Sequence, residues 1–317
     1  MKHAQGQQLV RKLTDSADVF LDPFRPGVME RLNVGPDVLC GSNSALIYAR
    51  LSGFGQTGPM SLLPGHDINY IAQSGVLSTL VDSNGVPTPP INLVADFAGG
   101  GLLLSNGIMA ALVERGQSGQ GQVLDLSMSE GSAYASSFLW QMRGLLFGAA
   151  PGENMLDGGA PFYGCYQTAD GRYMAVGSIE PQFYAELIRL TELDVDLSEQ
   201  MNESGWDELR SKLTTCFAQK TMAEWTAIFG TSEACVTPVL TMDEAHEEAH
   251  NIARGVFFDT DNGATVPASA PKFSRSGNAQ LTERPDVGGA TRQILADDLH
   301  LNQADIDELF EVGAVTE

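Results

Sequence analysis

The chain has 317 residues, and its 40 Asp and Glu outnumber its 18 Lys and Arg to give a formal net charge of −22. This excess of negative charge disfavours nucleic acid and anionic membrane surfaces as partners, because their phosphate groups would be repelled. The hydrophobic fraction is 43%, which is typical of a globular protein. We expect no apolar run of membrane-spanning length, and the N-terminus has no apolar signal core. The sequence therefore predicts a globular protein in the cytoplasm.

The N-terminal half alternates predicted strands and helices. An apolar strand at 19–21 is followed by a proline-bounded turn, and a second strand at 46–51 ends in a glycine cluster. A buried helix is predicted over 97–113 with Asp96 as its acidic cap, and a short strand follows at 123–126. Strands alternating with helices are typical of parallel sheets, so we expect an α/β fold with a Rossmann-like parallel sheet.

The C-terminal half predicts a second, smaller domain. A helix is expected over 130–148, and glycines and prolines then indicate a linker at 146–159. Helical periodicity beside a short strand predicts a small α+β domain over 160–255. Residues 1–145 form the large domain in this scheme, and the segment 256–317 is expected to return to it.

Residues 53–58 match the GxGxxG pattern of dinucleotide-binding loops and follow a predicted strand. A dinucleotide site also needs a helix directly after the loop, because the helix N-terminus binds the pyrophosphate. Pro59 and Pro64 make the following segment irregular, so the loop is better interpreted as a flexible cover over another ligand.

His246 and His250 complete an HExxH motif, which on one helix can hold zinc. No third ligand follows nearby, and the surrounding acidic residues favour an exposed charged helix. The 4 cysteines lie far apart with no CxxC pair, so they are expected to be small buried hydrophobic residues. The sequence therefore predicts no metal site.

Three residues have positions suited to proton transfer. His66 stands at the start of an apolar helix, Asp96 at the mouth of a glycine-rich helix, and Glu180 where a strand gives way to a helix. Each also has an ordinary interpretation. His66 could be a loop histidine, Asp96 an N-cap, and Glu180 a first-turn charge before Pro181.

Four motifs, in this order along the chain, resemble the family III CoA-transferases (CaiB/BaiF-like), and within them the α-methylacyl-CoA racemase branch. They are GHDINY at 65–70, LVADFAGGG at 93–101, NMLDGGAPFY at 154–163 and AVGSIEPQFY at 175–184. The resemblance implies a CoA thioester as substrate and an interlocked homodimer. It assigns the large domain, 1–145, to CoA binding.

In this family the catalytic histidine falls on His66, the catalytic aspartate on Asp96, and the glutamate that tunes the histidine on Glu180. The reaction implied is interconversion of R and S 2-methylacyl-CoA thioesters, with no cofactor besides the CoA of the substrate. One group removes the α-proton and another returns a proton on the opposite face, so both must exchange protons near neutral pH. Free backbone N–H groups at the start of helix 97–113 are expected to stabilise the enolate oxygen.

The phosphates of CoA favour guanidinium partners, and Arg25 and Arg50 both follow strands. Either could equally be an ordinary surface arginine. Gly53 and Gly55 are expected to cover the pantetheine. Gly99 and Gly100 are expected to let the substrate approach the backbone closely.

Two other functions stay open from the sequence. A CoA-transferase would use Asp96 as a nucleophile and form an acyl anhydride. The other is an inactive remnant. The resemblance implies a further N-terminal strand-helix-strand that contributes to the CoA nucleotide site, and this sequence is expected to lack it.

Overall fold

The computed structural model describes residues 3–82, 84–145, 147–260, 262–277 and 286–316. The chain divides into two units, one formed by Met1–Gly152 with Asp286–Glu317 and the other by Glu153–Pro285. The boundary at 152/153 lies inside the segment predicted as a linker. The return to the first unit begins at Asp286, which is later than the predicted position, 256.

A parallel sheet forms the centre of the first unit. Its strands β1 (Val19–Asp22), β2 (Ile47–Ser52) and β3 (Val123–Ser127) pair in the order β1-β2-β3. Four consecutive residues of β2, from Ile47 to Arg50, are buried. Strands covered on both faces have such continuous burial, so the predicted α/β fold with a parallel sheet is confirmed. The elements of Met1–Gly152 are α1 (Ala4–Thr14), β1 (Val19–Asp22), α2 (Val28–Arg31), α3 (Pro36–Ser42), β2 (Ile47–Ser52), α4 (Asp67–Gln73), a 3₁₀ helix (Val76–Thr79), a π-helix (Leu93–Leu102), α5 (Leu103–Ser118), β3 (Val123–Ser127), α6 (Met128–Ala135) and α7 (Ser137–Met142).

The helix predicted from residue 97 begins earlier and is not buried. It starts as the π-helix at Leu93 and continues as α5 to Ser118, so Asp96 lies inside the first turn and is not the cap. By length and composition, Leu93–Ser118 is apolar enough to cross a membrane, and only 22% of its most apolar window is buried. The expectation that the chain has no apolar run of this length was therefore wrong, and the helix presents an apolar face outward.

The single helix predicted over 130–148 is two short helices, α6 and α7, which meet at Ser136. The Ser136 hydroxyl donates to the Ala133 carbonyl at 2.9 Å. Serine side chains that bond nearby backbone groups in this way compete with helix continuation. The break leaves α6 as a separate eight-residue helix packed against the π-helix.

The second unit has an aromatic core and an antiparallel sheet, in which β4 (Tyr163–Gln167), β5 (Tyr173–Gly177) and β6 (Val236–Pro238) pair in the order β4-β5-β6. Phe217 contacts Tyr166, Trp225 and Phe229, with ring centroids 5.0 to 6.0 Å apart. The elements of this unit are β4 (Tyr163–Gln167), β5 (Tyr173–Gly177), α8 (Pro181–Thr191), 3₁₀ helices at Leu197–Glu199 and Glu203–Gly205, α9 (Trp206–Phe217), α10 (Met222–Phe229), β6 (Val236–Pro238), α11 (Met242–Glu247), α12 (Ala249–Arg254), β7 (Phe257–Asp259) and β8 (Thr265–Pro267).

The HExxH motif does not lie on one helix. Glu248 is extended, with ψ 131°, and separates α11 from α12. His246 contacts the Phe257 ring edge-on and lies 3.6 Å from an Asp259 carboxylate oxygen, so α11 attaches the β7–β8 hairpin to the second unit. These contacts explain why residues from 256 onward stay with that unit. Within the described ranges, no three His, Cys, Asp or Glu side chains form a metal-binding group.

The chain returns to the first unit through α13 (Thr291–Asp297) and α14 (Gln303–Glu311). Leu295, Ile306 and Leu309 form a small apolar core with Leu9 of α1. The two ends of the chain are therefore packed together by burial of aliphatic side chains.

Candidate active site

His66 lies at the N-terminus of α4, immediately after the loop 53–65. Its side chain is exposed, its backbone N–H donates to the Asn69 side chain at 3.1 Å, and its carbonyl accepts from the Asn69 N–H at 2.8 Å. Reciprocal bonds of this kind satisfy backbone groups that a helix start otherwise leaves free. These bonds fix the backbone of His66, and its side chain is exposed.

Tyr70, one turn along α4, closes the base of the loop before His66. Its hydroxyl donates to the Gly65 carbonyl at 2.5 Å, and its ring occupies the space that a Cβ at Gly53 would need, 2.3 Å away. Glycine at both loop ends is therefore required for this ring to pack, and the backbone entering His66 is fixed by it.

Asp96 projects from the first turn of the π-helix and is half-buried. The Asn92 side-chain amide donates to its carboxylate at 3.2 Å. π-helices are rare, and short ones occur frequently at functional sites. This one spans ten residues and displays the carboxylate at its start.

Asp67 connects the histidine and aspartate segments, and the sequence reasoning did not identify it. One of its carboxylate oxygens, Oδ2, accepts the backbone N–H of Ala95 at 2.7 Å and of Asp96 at 2.9 Å. Asp67 is peptide-bonded to His66, so the two candidate catalytic residues are joined through a single side chain. Its position directly after the histidine in GHDINY was the available signal, but the contact itself joins residues 29 apart.

The oxyanion site was predicted at the free N–H groups of a helix that starts at 97, and this site stays a prediction. The helix in fact begins at Leu93, and two N–H groups of its first turn, those of Ala95 and Asp96, donate to Asp67. Because each amide hydrogen is already committed to a carboxylate oxygen, neither is available to an enolate oxygen in this arrangement.

Gly99 and Gly100 face the protein interior and not an open cleft. A Cβ on Gly99 would lie 2.6 Å from the Ser132 nitrogen, and one on Gly100 would lie 2.8 Å from the Ala95 carbonyl. Gly131 of α6 meets Gly99 just as closely, with its own Cβ position 1.8 Å from the Gly99 oxygen. The prediction that Gly99 and Gly100 contact CoA is therefore corrected. Gly99 permits backbone-to-backbone packing of the π-helix against α6, and Gly100 leaves space for the Ala95 carbonyl of its own helix.

The loop predicted to cover the ligand begins at the carboxyl end of β2. Gly55 has φ +83°, which favours glycine, and the Gly53 carbonyl accepts from the Ser127 hydroxyl and the Ser129 N–H. These contacts anchor the loop beside α6. Contact of Gly53 and Gly55 with CoA stays a prediction.

Arg25 is exposed and lies near the candidate site. Burial raises the pKa of the Tyr70 hydroxyl, the negative charge of Asp96 raises it further, and the positive charge of Arg25 opposes the rise. The Tyr70 hydroxyl therefore lies close enough to both Asp96 and Arg25 to interact electrostatically with them. Among the described residues no carboxylate forms an ion pair with Arg25, so its guanidinium is available to a phosphate.

Arg50 has the opposite environment. It is only 6% exposed, its Nε lies 3.1 Å from an Asp22 oxygen, and its Nη1 donates to Glu30 at 2.8 Å. Burial raises the pKa of Asp22 despite the neighbouring guanidinium. Two carboxylates already occupy the Arg50 guanidinium, so the prediction that it binds a CoA phosphate is corrected to a structural ion pair.

Glu180 belongs to the second unit, where it is exposed and precedes Pro181 at the N-terminus of α8. Its carbonyl accepts the Tyr184 N–H at 3.0 Å, so the residue forms the start of that helix. Its predicted role toward His66 stays a prediction.

The comparisons with known proteins agree with the fold and with the family resemblance. The family model described as CoA-transferase family III matches residues 1–291, and the chain belongs to this family. It is 50% identical to the alpha-methylacyl-CoA racemases of Mus musculus and Homo sapiens over 298 residues, which is 93% of this chain and 78% of each relative. The crystal structure of Rv3272 from Mycobacterium tuberculosis, named a probable fatty acyl-CoA transferase, matches with a TM-score of 0.74 at 26% identity, covering 92% of this chain and 78% of that one.

Proposed function

We propose that this protein is an α-methylacyl-CoA racemase, which interconverts the R and S epimers of 2-methylacyl-CoA thioesters. The observation that carries the proposal is the link from His66 through Asp67 to Asp96. It holds an exposed imidazole and a half-buried carboxylate on two helix starts that share one hydrogen-bonded side chain. The racemases at 50% identity support the same assignment.

In the proposed reaction His66 and Asp96 work on opposite faces of the α-carbon. One of them takes the α-proton, and the electron pair of the broken C–H bond moves into an enolate on the thioester oxygen. The other then donates its proton to the opposite face, and the electron pair returns to form the new C–H bond. Each residue is the base in one direction and the acid in the other, so the two groups need no cofactor beyond the CoA of the substrate. Glu180 is proposed to tune the histidine.

Arg25 is the candidate partner for a CoA phosphate. Its guanidinium is exposed, carries no ion pair among the described residues and acts on the Tyr70 hydroxyl together with Asp96. Guanidinium groups bind phosphate oxygens with paired hydrogen bonds. Arg25 would thus hold the nucleotide end of the substrate while the acyl end reaches Asp96.

We further propose that the protein is a homodimer whose interface includes the apolar helix Leu93–Ser118. Phe97, Leu102 and Met109 on this helix are 60%, 71% and 61% exposed. Large exposed apolar patches mark interaction sites, because monomers rarely leave such area in water. Sedimentation analysis should show that the wild type is a dimer and that the double variant Leu102→Asp/Met109→Asp is a monomer. The control variant Met242→Asp, at an exposed apolar residue of the second unit, should remain a dimer. A monomeric wild type, or one that pellets with lipid vesicles, contradicts this proposal.

The racemase proposal is tested by incubating the protein with one epimer of a 2-methylacyl-CoA in heavy water. Epimerisation should incorporate deuterium at the α-carbon at the rate at which the other epimer forms. If the substrate keeps protium at its α-carbon although the protein is folded, the proposal is contradicted. Transfer of CoA to an added carboxylic acid, with hydroxylamine trapping an acyl group on Asp96, would assign the transferase reaction instead.

A further inference from the structure

The Asp67 carboxylate is buried at the junction between α4 and the π-helix. Asp67 is 3% exposed, and its Oδ2 accepts both backbone N–H groups described above. Within the described residues its other oxygen, Oδ1, has no hydrogen-bond partner, and no Lys, Arg or His forms an ion pair with it. Burying a carboxylate with so few partners is costly, so an ordinary packing role explains it poorly.

The two amides that Asp67 binds have a specific place in the site. They are the amides of Asp96 itself and of Ala95 just before it, in the first turn of the π-helix. The first N–H groups of a helix have no acceptor within the helix, so they need one from elsewhere in the protein. The Cα of Asp67 is one peptide unit, about 3.8 Å, from that of His66. Movement of Asp67 would therefore change the distance between the imidazole and the Asp96 carboxylate.

We propose that Asp67 is a positioning residue for proton transfer, which sets the separation of His66 and Asp96 by binding the Asp96 backbone. This inference rests on the proposed racemase function. Asp67 need not touch the substrate for this role. It acts through the backbone of the residue that exchanges the proton, so its loss should reduce turnover more than substrate affinity.

Two substitutions separate positioning from charge. Asp67→Ala removes both hydrogen bonds, and displacement of Asp96 by about 1 Å should lower kcat about 100-fold with little change in KM. Asp67→Asn keeps one oxygen that can accept both N–H groups, so it should restore kcat to within about tenfold of wild type. Asp82→Ala is the matched control. Asp82 also accepts two backbone N–H groups, from Asn84 and Val86, but in an exposed turn, and its loss should leave kcat unchanged.

Exchange of the Ala95 and Asp96 amides with heavy water gives a readout independent of activity. Both amides should exchange faster in Asp67→Ala than in wild type and Asp67→Asn, whatever reaction the protein catalyses. A folded Asp67→Ala with wild-type kcat, or Asp67→Asn as impaired as Asp67→Ala, overturns the inference. If Asp67→Ala does not fold, a folded Asp67→Asn whose kcat is about 100-fold below wild type while its Ala95 and Asp96 amides exchange as in wild type overturns it. An inactive wild type whose amides respond as expected would reject only the racemase function.

Discussion

Asp67 Oδ2 lies 2.9 Å from the backbone nitrogen of Asp96, and this bond joins two helix starts that the chain separates by 29 residues. A charged acceptor at a helix N-terminus interacts favourably with the positive end of the helix dipole. Here the acceptor comes from the residue next to His66. The same contact therefore stabilises the π-helix and brings the two candidate proton-transfer groups to one part of the first unit.

Replacing either proton-transfer residue should produce unequal effects on the two epimers. His66→Gln and Asp96→Asn should each lower the epimerisation kcat by about 10²- to 10⁴-fold, the usual contribution of a general acid or base. Each variant should still exchange the α-proton of the one epimer whose proton the surviving residue removes. Deuterium incorporation into each pure epimer, followed by NMR, measures this. Equal loss of exchange with both epimers in both variants would contradict a two-residue mechanism.

Arg25 and Arg50 should respond differently to the same substitution. Arg25→Met should raise KM for the CoA substrate and leave Tm unchanged, because the guanidinium is exposed and has no ion pair among the described residues. Arg50→Met should lower the free energy of unfolding by about 3–5 kcal/mol, since it leaves the fully buried Asp22 carboxylate without its partner. Steady-state kinetics and urea unfolding measure the two effects. A stable Arg50→Met protein with a raised KM would restore Arg50 as a CoA ligand.

Adding one methyl group should separate the two closely packed helices beside Asp96. Gly131→Ala places a Cβ about 1.8 Å from the Gly99 oxygen and should destabilise the protein by about 3 kcal/mol or more, because neither backbone can yield. Gly116→Ala in α5 is the control. Nothing lies within 4 Å of its Cβ position, and removing a helical glycine should stabilise the protein by about 0.5–1 kcal/mol. Thermal unfolding that moves both variants in the same direction would contradict this packing.

Acid should weaken the second unit through Glu244. The hydrogen bonds of Arg172, followed by those of Thr241, lower the pKa of Glu244 from 4.5 to about 2. A carboxyl whose pKa is lowered by folding stabilises the protein above pH 4.5 and loses that contribution as the pH falls toward 2. Glu244→Gln should therefore be less stable than wild type at pH 7 and converge with it at low pH.

The control for this comparison is Glu247→Gln, at a nearby exposed glutamate with no described ion pair. It should follow the wild-type pH profile, measured as urea unfolding midpoints between pH 7 and 2. The difference between Glu244→Gln and wild type should shrink in high salt, because this pair is partly exposed and is screened. A constant difference across the pH range would contradict the lowered pKa.

The local pattern of apolar and polar residues predicted much of the secondary structure. It did not predict the places where contacts with neighbouring elements change that structure. The strands of the parallel sheet were predicted from runs of apolar residues, and the helical content of the second unit was predicted from helical periodicity. The helix of Asp96 was placed four residues too late, because its first N–H groups are bound by Asp67 and not by a local cap. Its exposed apolar face was interpreted as buried, since apolar composition alone does not say which surface covers it.

Sequence by itself determined the family and most of the strand and helix order, and it singled out His66, Asp96 and Glu180 as candidate site residues, because these depend on residue types at short spacing. Tertiary structure alone decided which polar groups were already engaged. Arg50 is held by Asp22 and Glu30, and the amide of Asp96 is held by Asp67. Hydrogen bonds and ion pairs form over about 3 Å in space. Separation along the chain carries no information about that distance until the chain has folded.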